Sequence, residues 1–198
     1  MAGSNADTTN DARVGEVVEA STSRFVVQCH ELYGAPPLGS LVRSESGVYG
    51  VVAEVATQSL DPGRRAVAMG RGEASAEAVY RQHPQLARLM STELEAVVAA
   101  HRDEAGLSRF LAPTPPRIHE IVHACGGPEL VEVAGDLELL PSLLASPAGS
   151  PDDVTAAFLR QVVQAHPEPE RVRLDAGRRL AGLLPGQLHR LTGILKRL

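Results

Sequence analysis

At 198 residues, with 43% hydrophobic and 22% charged residues, the chain is long enough to bury a sizeable core without metal or disulfides. A formal net charge of −5 argues against a protein that coats nucleic acid, and three Tyr, three Phe and no Trp leave little for a base-stacking platform. Two cysteines, Cys29 and Cys125, make no disulfide framework and read as buried free thiols.

The start, MAGSNADTTNDAR, is polar and lacks an apolar h-region, so residues 1–12 read as a disordered tail without a secretory signal. VGEVVEA (14–20) and RFVVQC (24–29), joined by Ser21-Thr22-Ser23, predict a β-hairpin. YGAPPLGS (33–40) is a Pro/Gly loop, SLVRSE (40–45) a strand, Ser46-Gly47 a turn and VYGVVAEVAT (48–57) a longer strand. Gly50 inside that strand predicts a bulge or a close backbone approach. Asp61-Pro62-Gly63 is turn chemistry. SAEAVYRQHPQLARLM (75–90) predicts a helix broken before Pro84, with Leu86, Leu89 and Met90 on one apolar face. ELEAVVAAHRD (93–103) divides between strand and helix; Val97-Val98 and its place after four strands favour strand.

APTPPR (112–117) is extended and proline-stiffened, and LVEVAG (130–135) is short and alternating. The composition then turns Leu-rich. DLELLPSLLAS (136–146) predicts a helix tolerating Pro141, and SPDDVTAAFLRQVVQAH (150–166) a helix capped by Ser150, with Pro151 at its first position and two acids in its first turn. One or two more helices follow. Residues 176–198 carry Arg178, Arg179, Arg190, Lys196 and Arg197 and no acid, with Leu188, Leu191, Leu195 and Leu198 at helical spacing. Such a segment either docks an acidic partner or membrane surface, or packs as a terminal helix whose cations complement its dipole. The second reading is favoured.

RIHEIVHACGGPE (117–129) contains the H-E-x-x-H pattern of zinc peptidases. A zinc reading places His119 and His123 on one helix face as ligands, Glu120 as the general base acting on the bound water, and Glu129 as a third ligand. Pro113, Pro115 and Pro116 before the motif and Gly126-Gly127-Pro128 after it leave room for about two turns of helix. As a strand, the segment puts His119, Ile121 and His123 on one face and Glu120 on the other, which separates ligands from base. The favoured reading is a structural strand or short helix with no metal or other cofactor, and the zinc hydrolase is its alternative.

Lys196 is the only lysine and Arg197 follows it, so no P-loop can be built. Arg64-Arg65 and Arg71 make a small basic patch, read as a solvated loop rather than a phosphate contact. No run of about 18 apolar residues crosses a membrane, and a cytoplasmic location is expected.

Taken in order, VGEVVEASTSRFVVQC, LGSLVRSE and GVYGVVAEV resemble the HAS barrel, the six-stranded β-barrel at the N-terminus of HerA-type DNA translocases and, more distantly, of rotary ATP synthase subunits. SLDPGRRAVAMGRG, YRQHPQLARLMSTELEAVVAAH and PTPPRIHEIV are similar to a stand-alone branch with a helical insertion and no ATPase domain. The resemblance covers roughly residues 13–131. It implies a small six-stranded antiparallel β-barrel over 13–135 with a helical insertion near 73–91, and with the helical region read over 136–198 the expected fold is α+β. It carries no catalytic residue. It implies a non-enzymatic module for protein–protein assembly or self-association, within a DNA-processing or ATPase complex, with nucleic acid not a direct ligand.

Overall fold

The computed structural model describes residues 12–61, 63 and 65–198. Residues 1–11 of the expected 1–12 tail, Pro62 of the turn and Arg64 of the basic patch lie outside the described residues; Ala12 is described, and its carbonyl accepts from the Ala124 N–H at 3.0 Å. The first half of the chain is mostly strand: β1 (Arg13–Ala20), β2 (Arg24–Cys29), β3 (Leu41–Ser44), β4 (Val48–Ser59), β5 (Met90–Asp103), β6 (Gly106–Ser108) and β7 (Ile121–Ala124). They form one antiparallel sheet in the order β2-β1-β7-β3-β4-β5-β6, and β2 also pairs with β5. The fold is α+β, as the sequence pattern requires.

β4 and β5 are the two long strands, paired from Val48–His101 to Ser59–Met90. The division over 93–103 resolves to strand because both of its faces are covered. Leu94, Ala96 and Val98 join one apolar cluster with Phe25, Val27, Val52 and Val122. Val97 and Ala99 join another, built largely from helices. β4 splits in the same way, with Tyr49, Val51 and Ala53 on the helical side. This double burial explains why these strands read as continuous apolar runs rather than alternating ones.

Gly50 meets both expectations set for it. The β4–β5 register shifts at Tyr49/Gly50, and a Cβ there would lie 2.7 Å from Phe25 Cε1 and 2.8 Å from Ala96 Cβ. The absent side chain is the space the Phe25 ring fills.

The helices are α1 (Ala76–Gln82), α2 (Leu86–Leu89), α3 (Gly127–Ala134), α4 (Leu140–Leu144), α5 (Pro151–Ala165), α6 (Pro169–Leu183) and α7 (Leu188–Leu195). α1 and α2 flank Pro84, where the break was expected. LVEVAG is a correction: it lies in α3. Gly126 caps that helix, Pro128 enters its first turn, and Leu130, Val133 and Ala134 are buried at helical spacing. The alternation of Val131 and Val133 with acids misleads because only Val133 faces the core. β6 is a second difference, a three-residue strand too short to leave a pattern.

α5 is the centre of the helical layer, burying Phe158, Leu159, Val162 and Val163. α7 packs on it through fully buried Ile194 and the partly buried Leu191, Leu195 and Leu198. Arg190 binds Asp152 through Nε and Nη2, with contacts of 2.6–3.1 Å, and Arg197 Nη1 lies 2.6 Å from Asp153. The basic C-terminal helix therefore docks on the acidic first turn of α5, where those acids also complement that helix's dipole. Leu188 is its one exposed leucine. No helix among the described residues is long and apolar enough to cross a membrane.

Candidate functional site

The HEIVH segment is not helical. His119 stands in a turn with φ 72°, and the strand begins only at Ile121. The two histidines are therefore not stacked one helical turn apart, as the peptidase geometry needs. His119 is largely exposed, with Nδ1 3.2 Å from Glu16 Oε2, and the other oxygen of Glu16 lies 3.5 Å from His30 Nε2. His123 sits mid-sheet in β7, in register with Arg13 on one side and Arg43 on the other.

Glu120 closes the turn. Its carboxylate accepts hydrogen bonds from the backbone N–H of Arg117 (2.9 Å) and of Ser46 (3.1 Å). Partial burial acts to raise its pKa, but these amide bonds outweigh it and hold the carboxyl below its ordinary value. That is the wrong direction for a general base, whose pKa should approach the working pH.

Glu129, the candidate third ligand, lies elsewhere. Its Oε1 accepts from Tyr49 Oη and from Arg43 Nε, each at 2.9 Å. Arg102 Nε donates to Tyr49 Oη at 3.2 Å, and Arg102 Nη2 pairs with Glu132 at 2.8 Å. The five residues clamp α3 to β3, β4 and β5. Among the described residues, no group of three or more His, Cys, Asp or Glu is placed to hold a metal ion.

A different feature was not read from the sequence. The chain leaves β4 at Ser59 and returns to β5 at Met90, with Leu60 N–H donating to the Leu89 carbonyl at 2.9 Å. Residues 60–89 thus sit at the tip of the long hairpin, and none of the described ones is buried. They enclose, with Tyr33, a cleft of about 630 Å³. Its walls are apolar, from Leu60, Val67, Met69, Val79, Leu86 and Leu89. Val67 is 80% exposed and Leu89 51%. Arg65 and Arg88 stand on the rim beside Asp61.

Tyr33 fastens this insertion to the sheet. Its backbone is left-handed, φ 65°, a strained conformation for a bulky residue. Its N–H donates to Thr92 Oγ1 at 2.8 Å, and Thr92 Oγ1 in turn contacts Thr57 Oγ1 at 2.9 Å. The Tyr33 hydroxyl lies 2.6 Å from that of Tyr80 in α1, and the two rings meet edge to face, centroids 6.2 Å apart. That hydrogen bond holds the Tyr80 phenol above its usual pKa. The sequence signal for the cleft was present in part: Leu86, Leu89 and Met90 were expected on one apolar face. Here that face opens on the cleft.

A scan against protein-family models finds no match for the chain, and a search of curated proteins finds none either.

Proposed function

We propose that the chain is a non-enzymatic β-barrel module for protein–protein assembly, with residues 60–89 presenting its contact surface. The observation that carries this reading is the insertion itself. Thirty residues project from a hairpin tip, bury nothing among the described positions, and hold apolar side chains in the open. Ordering such a segment costs conformational entropy that its own packing does not offset. Contiguous exposed apolar surface of this kind marks an interaction site.

The barrel is supported by the pairing of β2 with β5. β1, β7, β3, β4, β5 and β2 then form a circuit in which each strand has two partners, leaving β6 appended to β5. The segments that resemble the HAS barrel are members of that circuit, and an assembly role within a DNA-processing or ATPase complex follows from the resemblance. The lone Lys196 supplies no phosphate-binding loop, which argues against a P-loop nucleotide hydrolase.

Light scattering of the pure protein, with native pull-down and mass spectrometry, tests the reading. Self-association or a stoichiometric protein partner is expected. A strict monomer at high concentration, with no partner recovered, defeats it. So does ATP hydrolysis that survives further purification.

A further inference from the structure

We propose that the cleft between Tyr33 and residues 60–89 receives an amphipathic helix of a protein partner, its apolar face flanked by carboxylates. This deepens the assembly reading above and rests on it.

The shape argues for a macromolecular segment over a small ligand. Binding pockets enclose most of a small molecule's surface. Here Val67 is 80% exposed and Tyr33 62%, so the site is a groove rather than an enclosure. Its apolar wall suits the i, i+3, i+4, i+7 side chains of one helix face.

The charge argues for acidic flanks. The insertion holds five arginines against three acids in a chain of net charge −5. Arg65, Arg71, Arg81 and Arg88 form no ion pair among the described residues, whereas Arg24, Arg43, Arg102, Arg190 and Arg197 all do. Asp61, Glu73 and Glu77 offset three of the five arginine charges. The insertion therefore keeps a net positive charge beside apolar walls.

Two other occupants fit less well. A two-fold contact between copies through this face would set the same arginines against one another. A lipid surface takes a convex apolar element, and the cleft is concave. The Tyr33–Tyr80 contact, anchored through Thr92, holds the groove open in the absence of a partner, which lowers the ordering cost of binding.

The test uses the full chain and two fluorescein-labelled helical peptides with the same leucine face, one flanked by Glu and one by Lys. Fluorescence anisotropy should show saturable binding of the Glu peptide and roughly tenfold weaker binding of the Lys peptide, as expected for two exposed charge pairs. Arg65→Glu with Arg88→Glu should reverse that order, and Val67→Asp should remove both. All three positions are exposed, and circular dichroism checks that each variant remains folded. Equal affinity for the two peptides, or no saturable binding of the Glu peptide, overturns the proposal. So does binding to phosphatidylserine vesicles that Val67→Asp abolishes, or a dimer that dissociates on the same substitution. If Val67→Asp still assembles with its native partner, the cleft inference fails and the assembly reading stands. If every form is monomeric and partnerless yet the Glu peptide binds as expected, the assembly reading fails, and only the cleft's preference for an acid-flanked helix survives it.

Discussion

Tyr49 donates its hydroxyl proton to Glu129 Oε1 at 2.9 Å, joining β4 to α3 across 80 positions of sequence. Tyr49 is 1% exposed, so its hydroxyl has no water to fall back on. Burial first, and the Glu129 carboxylate with it, raise the Tyr49 phenol above its ordinary pKa against the pull of Arg102. Glu129→Gln takes the negative charge from Arg43 and Tyr49 together. A loss of about 1–2 kcal/mol is expected, since the carboxylate is part-buried and its bonds are charge-assisted. Tyr49→Phe should cost about 1 kcal/mol, and the double variant less than the sum of the two. Urea denaturation midpoints measure all three. Additive effects would mean that the contact does not join the layers.

The same relationship bears on the zinc motif. With His119 in a turn, His123 mid-strand and Glu129 held by Arg43, elemental analysis of untagged protein should find no stoichiometric zinc. His119→Ala and His123→Ala should each shift stability by under about 1 kcal/mol. Stoichiometric zinc that is lost on His123→Ala would restore the hydrolase reading.

The strands were legible because their signals are local. Val-rich runs, the Ser21-Thr22-Ser23 turn and Ser46-Gly47 each fix a short stretch without reference to the rest. The division over 93–103 was legible only from its context, because β5 is covered on both faces and no alternation survives. α3 was missed although Gly126 and Pro128 mark a helix start; a two-period match over six residues outweighed a cap that was there to be read. The partners of Glu129 and the exposure of the cleft were beyond sequence reasoning for another reason. The partners of Glu129 lie 80 and 86 positions away. The apolar residues of 60–89 are indistinguishable by composition from buried ones. Exposure is a property of what packs over them, and the described residues cover them only in part.

Thr155 is fully buried in α5, and its Oγ1 has no hydrogen-bond partner among the described residues. A buried hydroxyl left unpaired loses its solvation without return. Thr155→Val keeps the branched shape and removes that cost. Stability should rise by about 1 kcal/mol, read as a higher melting temperature. A fall would mean that the hydroxyl is satisfied in solution.

Gly39 sets the contact between the 33–40 loop and α5. It has φ 81°, and a Cβ there would lie 2.4 Å from the Phe158 backbone N. Both the conformation and the space exclude a side chain. Gly39→Ala should cost about 2 kcal/mol or more, whereas Gly182→Ala, inside α6 with open space around it, should raise stability by up to about 1 kcal/mol. Equal melting temperatures would show that the loop moves aside freely.

Cys29 gives the chain an alkaline limit. Its thiol is buried at the end of β2, and burial first, with Glu93 nearby, raises its pKa from 9.0 to about 11. The folded state thus holds a proton that the unfolded chain has already released between those values. Stability from this group is complete below pH 9 and is lost as pH rises toward 11. Asp152 works in the opposite sense. The hydrogen bond from Arg190 holds its carboxyl below the ordinary value, so its contribution is complete above the unfolded value and is lost as pH falls through the folded one. Denaturation curves across the alkaline range should therefore fall less steeply for Cys29→Ala than for the parent chain. The difference should reach at most about 2–3 kcal/mol, the free energy of a shift of two pKa units. Comparing the two proteins cancels the contribution of every other group. Asp152→Asn should flatten the acid limb and leave the alkaline one unchanged. Parallel alkaline curves for parent and Cys29→Ala would mean that the thiol ionises as readily folded as unfolded, and that β2 opens at its end to let it do so.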